Sequence, residues 1–542
     1  MIAALLLPAR PSGAAELEHP FKGDPYESQI SPTLAIPAAE QQKKFHLPPG
    51  FEIQLVAAEP DIQKPFNIAF DAKGRLWTTG SYEYPHPAAP EAEHRDRITI
   101  LDDFDENGRA RKITTFATGL NIPIGLLPMN DGAIVWSIPN IWRLYDHDGD
   151  DREDERVKLY GPFDHKDTHG NVSSFNWGFD GWIYATHGFA NDSRVKGGDG
   201  HEVHMHSGHT FRFKPDGSRL EVYAHGQVNP FGITLDPLGN VYTADCHTRP
   251  IYQILHNGYY PSFGKPHDGL GFAPEICDYD HGGTGVAGIS YYAADHFPGE
   301  FQEHVFTGNV MTCVVNHDRI ERQGGSFKAF KESDFITSDD PWFRPVCIQT
   351  GPDGALYIAD FYNRVIGHYE VPLDHKARDK ERGRIWRVVY TGQGGERNPQ
   401  SPRADWTSAT TSELITDLAH ANLQVRLQAT HQLVHRIGQA AITPLQDMLD
   451  NQPGPFEAVH GLWALHRLGA IDTQTLARCA VHEDFRVRAH VFRILAARKD
   501  FDGGDRKIAF KGMKDPDRFV VRNAADALRL HPSPDHLPVL VA

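Results

Sequence analysis

The sequence predicts a multidomain chain: an all-β six-bladed propeller followed by an all-α helical repeat array. Three observations predict it. A turn bearing Asp or Gly, followed by an aliphatic and an aromatic residue, recurs in DAKGRLW from Asp71, NDGAIVW from Asn130, FDGWIY from Phe179, DPLGNVY from Asp236 and PDGALY from Pro352. With a degenerate copy from Glu300 that lacks the turn, the markers fall roughly 48 to 64 residues apart, the span of one four-stranded blade. Secondly, the run GRIWRVV from Gly383 can pair with FEIQLVA from Phe51, which closes the ring and removes two exposed strand edges. Thirdly, beyond Tyr390 the apolar period changes from two to about four.

A β-sandwich also has short strands between turns, but its turns come every ~8–12 residues without a recurrent long-range signature. The expected layout is an irregular Pro- and Ala-rich leader over 16–44, the propeller over 45–391, a Gly- and Pro-rich linker over 392–410 and helices over 411–542. In the last part Val425, Ala429, Leu433 and Ile437 share a helical face, and Arg436, Arg467, Arg498 and Arg529 are each 31 residues apart. Val-Arg pairs at 425, 487 and 521 stand where a second helix of each repeat begins. Such an array resembles HEAT repeats and offers a surface for a protein partner.

Composition narrows the function. A chain of 542 residues exceeds one ordinary core. Its net charge of -17 disfavours nucleic acid as a partner, because a phosphate backbone is repelled rather than neutralised. The five cysteines form neither CxxC nor CxxCH, so the chain carries no thiolate zinc knuckle and no covalent haem site. MIAALLLPAR, with small residues at Ala14 and Ala15, reads as a clipped signal peptide over 1–15 and predicts export to the periplasm or beyond the cell. No later run approaches the ~20 apolar residues of a membrane span.

The candidate site is the hairpin HKDTHGNVSSFNWGFDGWIYATH, from His165 to His187. Alternation through VSSFNW, an Asp180-Gly181 turn and the returning strand WIYAT bring His165, Asp167, His169, Asn171 and His187 to one end. In a propeller, residues just before each inner strand and just after the second strand share one rim around the axis. Before inner strands stand Lys64, Asn121, His169 with Asn171, Asn229, His281 and Arg344; after second strands stand Glu83, Asn140, His187, Asp245 with His247, Asn309, and Asp360 with Tyr362 and Asn363. Single Asn and Asp residues here also suit turn capping. His169, Arg344 and Asp360 together read as catalytic: a neutral His169 takes a proton from a substrate hydroxyl and Arg344 stabilises an oxyanion or binds an anionic cofactor. Lys64, Asn121, Asn171, His187, Asn229, Asp245, His247, His281, Tyr362 and Asn363 read as substrate or cofactor contacts.

Two further clusters stand out. DHDGDDRED sets Asp146, Asp148, Asp150 and Asp154 at positions one, three, five and nine of a calcium-loop pattern, although Asp151 replaces the glycine at six and Val157 the closing glutamate. A weaker copy holds Asp103, Asp105 and Asn107. HEVHMHSGH places His204 and His206 on one strand face, a metal pair in geometry but without an obvious carboxylate partner, and so reads as an exposed polar strand.

The strings LPPGFEIQLVAAEP, GRLWTTGSYEYP, HGQVNPFGITLDPLGNVYTADCHTRP, YPSFGKPHDGLGFAP, DDPWFRP and GPDGALYIADFYNRVIGHYEVPLDH, with the DxDGD loop and RGRIWRV, resemble the PVC-type haem-binding propeller family, labelled membrane-bound dehydrogenases. The resemblance covers 45–391. That family is similar to soluble quinoprotein glucose dehydrogenase propellers, which oxidise sugars with pyrroloquinoline quinone (PQQ) and calcium. The resemblance implies His169 as base of the hydride step and an arginine before NPFG, where this chain has Val228; Arg344 from another blade is the substitute. It also implies a carboxy-terminal cytochrome c domain, whose CxxCH is missing from this sequence. The leading expectation is therefore an oxidoreductase acting on a CH–OH group of a sugar or polyol and passing electrons to a quinone or c-type cytochrome. A calcium-dependent lactonase or hydrolase, and a non-catalytic carbohydrate- or protein-binding scaffold, are the alternatives.

Overall fold

The computed structural model describes residues 19–263, 265–367 and 371–541. The signal-peptide reading of 1–15 lies outside the described residues.

The chain folds as a six-bladed β-propeller followed by a helical region. Blades 1, 2, 5 and 6 are four-stranded antiparallel sheets, blade 3 adds a hairpin between its second and third strands, and blade 4 has three strands. The inner strands are Lys64–Phe70, Gly125–Met129, Ser173–Trp177, Pro230–Leu235, Val286–Tyr291 and Pro345–Thr350. Phe51–Ala58 pairs with Arg384–Tyr390 as the outermost strand of blade 6, Phe51 facing Tyr390 and Ala58 facing Arg384. The ring is thus closed by the strand expected to close it.

The recurrent marker has a physical cause. Its aspartate accepts from the turn backbone and from the aromatic of the following strand: Trp77 Nε1 donates to Asp71 at 2.8 Å, Tyr184 Oη to Asp180 at 2.9 Å, Tyr242 Oη to Asp236 at 3.1 Å and Tyr357 Oη to Asp353 at 2.9 Å. Each bond ties the first two strands of a blade across their turn while the aliphatic residues between point into the core.

Residues 19–44 are less loose than their composition predicts. Ala38–Gln42 is a helix, Gln41 Nε2 donates to Asp360 at 2.9 Å, and the Ile36 amide donates to Tyr362 Oη at 3.0 Å. The segment between propeller and helices has no regular element, yet Trp406 within it is fully buried, its amide on Ala72 and its indole on Asp417.

In the helical region, Leu423–Gln432, Pro455–Arg467, Phe485–Ala497 and Arg518–Leu530 follow the spacing of the sequence repeat. Asn422, Asp484 and Asp517 cap three of them through side-chain bonds to the first-turn amides, which places each Val-Arg pair in a first turn. These helices cover the blade turns. Asn422 Nδ2 donates to Gly351 O at 2.9 Å, Gln432 Nε2 to Asn130 Oδ1 at 2.8 Å, and the Phe179 ring lies 5.1 Å from those of both His460 and His490. One hydrophobic cluster runs from Phe179, Ile233 and Ile289 of the propeller into Leu423, Trp463, Val487 and Phe519. Blade turns and helices therefore occupy one face, and the rim that carries His169 is the other.

Candidate functional site

On the open face the axis widens into a chamber of about 150 Å³. Phe66, Ile124, Phe231, Val286, Val310, Met311 and Phe361 supply most of its wall; Tyr84, Thr168, His169, Asn229, Cys246, His247 and Thr284 supply its polar groups.

His169 lies in a short 3-10 turn, Thr168–Gly170, capped by Asp167. One carboxylate oxygen of Asp167 accepts from the His169 amide at 2.9 Å and pairs with ring Nδ1 at 3.1 Å. This fixes the ring and leaves Nε2 as the nitrogen that Asp167 does not engage. The Tyr84 ring meets the imidazole edge-on at 5.3 Å. Burial pushes the Tyr84 hydroxyl well above its ordinary range, and burial with the nearby Asp245 charge does the same for the Cys246 thiol, so both stay protonated. Asn229 holds the turn in place: Nδ2 donates to His169 O at 3.2 Å and Oδ1 accepts from the Phe189 amide at 3.0 Å. The turn also needs glycine beside the histidine. A Cβ on Gly170 would stand 2.2 Å from Phe189 O, and one on Gly188 would stand 2.7 Å from Gly170 Cα.

Of the residues read from sequence as site groups, His169, Asn229 and His247 line this chamber. Asn171 is buried just beyond His169, with no partner among the described residues on either amide atom, the state of a group that bonds to water or ligand. The others are committed elsewhere. Arg344 donates from Nη1 to Val310 O at 2.5 Å and from Nε to Asn363 O at 3.1 Å, with Cys313 Sγ at 3.0 Å. Asp360 is fully buried and accepts from Gln41, Trp386 and the amides of Arg344 and Tyr362. Lys64 caps three carbonyls, Phe361 O, Tyr362 O and Arg382 O, at 2.6 to 2.9 Å, and burial pulls its pKa down to about 8. His187 bridges Ser207 O and Ser193 Oγ, with burial pulling it down to about 4. Asp245 accepts from the Val228 and Asn229 amides and from Thr248, and His281 pairs with Asp318 at 2.9 Å. Asn121 bonds both backbone groups of Ala88, Asn363 fixes Asp379, and Tyr362 lies under the Arg384 guanidinium at 3.6 Å. In each case the side chain is bonded to a neighbouring strand or loop of the fold.

Tyr84 and Asp167 are the polar groups that position or flank His169 without a role assigned from the sequence. Tyr84 adjoins Glu83, already placed at the rim, and Asp167 stands two residues before the histidine, the spacing of a turn cap.

The acidic loop lies on the other face. Asp146, Asp148 and Asp154 can each bring one oxygen within 4.8 Å of the others and could hold a divalent cation; Asp150 is not in that group. The Asp146 amide bonds Asp131 O at a blade turn, so an ion here does not reach the chamber. The histidine pair does have a carboxylate partner: Asp192, across the inserted hairpin, sits 2.8 Å from His204 Nε2 and 3.2 Å from His206 Nδ1.

Fold and site together define a six-bladed propeller with a largely apolar chamber on its axis and, in the wall, a histidine backed by an aspartate. Residues 37–392 match the family described as a domain of unknown function, DUF7133, and the chain belongs to that family. No curated protein matches it. Among solved structures it is similar to an oxidoreductase (glucose dehydrogenase) of Thermus thermophilus, at 17% identity and a TM-score of 0.41, over 63% of this chain and 100% of that one. It is also similar to the PQQ domain of pyranose dehydrogenase from Coprinopsis cinerea, at 14% identity and a TM-score of 0.41, over 64% and 97%. A third is the PQQ-bound aldose sugar dehydrogenase of Streptomyces coelicolor, at 16% identity and a TM-score of 0.39, over 63% and 100%.

Proposed function

We propose that the propeller is an oxidoreductase that takes a small, uncharged, hydroxyl-bearing molecule of the sugar or polyol kind into the axial chamber, where His169 removes the hydroxyl proton. The observation that carries this reading is His169, held from behind by Asp167, in a largely apolar wall. Asp167 holds the ring and offsets the charge it gains; the low-polarity wall keeps water from competing for the proton. Asn229, which ties down the His169 carbonyl, keeps the base in place.

Loss of the carbon-bound hydrogen as hydride needs an acceptor. PQQ would supply that chemistry, but it carries three carboxylates, and among the described residues lining the chamber there is no lysine or arginine to meet them. The cations expected there, Lys64 and Arg344, are saturated by backbone carbonyls. The chamber does not match PQQ, so the hydride calls for another two-electron acceptor, a diffusible quinone or a redox dye, from which a c-type cytochrome can take the electrons one at a time. The chamber wall also includes no Asp or Glu among the described residues, so it does not favour a hydrolase built on a central cation.

The test is dye-linked oxidation of a panel of neutral sugars and polyols by the full chain and by His169→Asn. Turnover lost in the variant while the fold is kept supports the reading. A wild type that reduces no dye with any member, or a variant as active as wild type, overturns it.

A further inference from the structure

The helix-covered face carries a second cavity. Between the outer strands of blade 3 and the helices Phe485–Ala497 and Arg518–Leu530 lie two adjoining hollows of about 880 and 610 Å³, which share Tyr223, His256, Arg493 and Asp526. On a chain of net charge -17, three arginines, Arg493, Arg522 and Arg529, gather on the smaller hollow beside two acids, Asp268 and Asp526.

Arg493 and Arg522 both donate to one amide oxygen, Asn240 Oδ1, at 2.6 and 3.2 Å, and Arg522 also donates from Nη1 to Gly325 O at 2.7 Å. Among the described residues neither forms an ion pair with a carboxylate, and Arg493 Nε is buried with no partner. The Asn240 amide in turn donates to Asp236 at 2.7 Å, so one buried carboxylate faces two guanidiniums, and only through an amide. Burial, with the Arg493 charge beside it, pulls Arg522 down to about 10. Three of the acids in the same cleft are already matched: Asp180 and Glu221 each lie 3.0 Å from Arg212, and Asp526 lies 2.7 Å from Arg529; Asp268 stands at the far wall of the smaller hollow. Lys214 stands over the Trp182 ring at 4.1 Å, and burial lowers its pKa.

Two neighbouring guanidiniums bonded to neutral oxygens alone are poorly compensated. A divalent oxyanion is the better partner, because each guanidinium can give it a charge-assisted bond in place of one to a neutral oxygen. We propose that this cleft binds a small molecule bearing a phosphoryl or polycarboxylate group, held between Arg493 and Arg522, with the remainder lying along Trp182 toward Lys214. The site is on the opposite face from the chamber and does not depend on the chemistry there.

The probes are inorganic phosphate, pyrophosphate and citrate, titrated calorimetrically into the full chain at constant chloride ionic strength. Saturable one-site binding by wild type is expected, weakened about tenfold or more in Arg493→Gln or Arg522→Gln through loss of a charge-assisted pair. Lys214→Gln, which leaves the helix contacts alone, should weaken pyrophosphate more than phosphate and serves if the arginine variants fold poorly. Phosphate or pyrophosphate binding assigns a phosphoryl ligand, and citrate binding alone assigns a carboxylate. No saturable binding by wild type at millimolar probe, or equal affinity in well-folded Arg493→Gln and Lys214→Gln, overturns the proposal. His169→Asn should bind all probes as wild type does, which separates this site from the chamber.

Discussion

Asp167 grips His169 twice through a single oxygen, 2.9 Å from the backbone amide and 3.1 Å from ring Nδ1. Ring and backbone are thereby fixed by one side chain. His169→Asn should lower turnover about 100-fold or more, the usual range for a lost general base. Asp167→Asn should cost about tenfold or more, because the ring loses both its orientation and its counter-charge. Steady-state rates with an unchanged far-ultraviolet dichroism spectrum check both; equal rates in all three proteins would remove His169 from the chemistry.

Asp360 should behave in the opposite way. It is fully buried and gathers four donors from the leader, its own strand neighbours and Trp386. Asp360→Ala strands those donors and should destabilise the fold by roughly 3 kcal/mol or more while leaving turnover per folded molecule intact. Urea melts paired with rates decide it; a rate loss at unchanged stability would make Asp360 catalytic after all.

Gly170→Ala tests how tightly the base is placed. The added carbon would sit 2.2 Å from Phe189 O, so the turn carrying His169 must move. Rate should drop by about 100-fold, as expected when a reacting group shifts by ~1 Å. Activity near wild type would mean that the turn yields without moving the ring.

The junction between propeller and helices should be sensitive to acid. His460 Nε2 accepts from Arg426 Nε at 3.2 Å and His490 Nδ1 accepts from Trp463 Nε1 at 2.9 Å, contacts that only a neutral imidazole can make. Burial holds His460 well below its ordinary value and brings His490 to about 3 and His435 to about 4. These groups are neutral when folded but protonate in the unfolded chain below about 6.5. Their stabilisation is complete above that pH and is lost as pH falls through the window down to the folded values. At pH 5 each such histidine costs roughly 2 kcal/mol. Denaturant midpoints at pH 7.5 and 5 should differ accordingly, and His490→Gln should reduce the difference; identical midpoints would rule the mechanism out.

Much of the ring was legible because the blade marker is a local device: an aspartate, its turn and an aromatic within a few residues, as in Asp236 with Tyr242. The direction of a rim side chain is not local. Lys64 ends on carbonyls of Phe361, Tyr362 and Arg382, and Asp360 meets Gln41, partners that only the closed ring brings near. The apolar wall was invisible for a related reason. Phe66, Phe231 and Phe361 come from three blades, and each alone reads as an ordinary strand residue. His169 was legible since the hairpin gathers its own polar residues, whereas the missing carboxylate for His204 and His206 was Asp192, which needed the hairpin register to be found.

The pairing of Phe51–Ala58 with Arg384–Tyr390 sets the order of events in biosynthesis. The first of these strands leaves the ribosome long before its mate exists. Five sheets must therefore wait as an open arc, with Phe51–Ala58 unpaired at one end, until Tyr390 emerges and the two ends meet. That interval is when a nascent chain of this kind is most exposed to edge-to-edge association with its neighbours, and a chaperone that shields Phe51–Ala58 would act there.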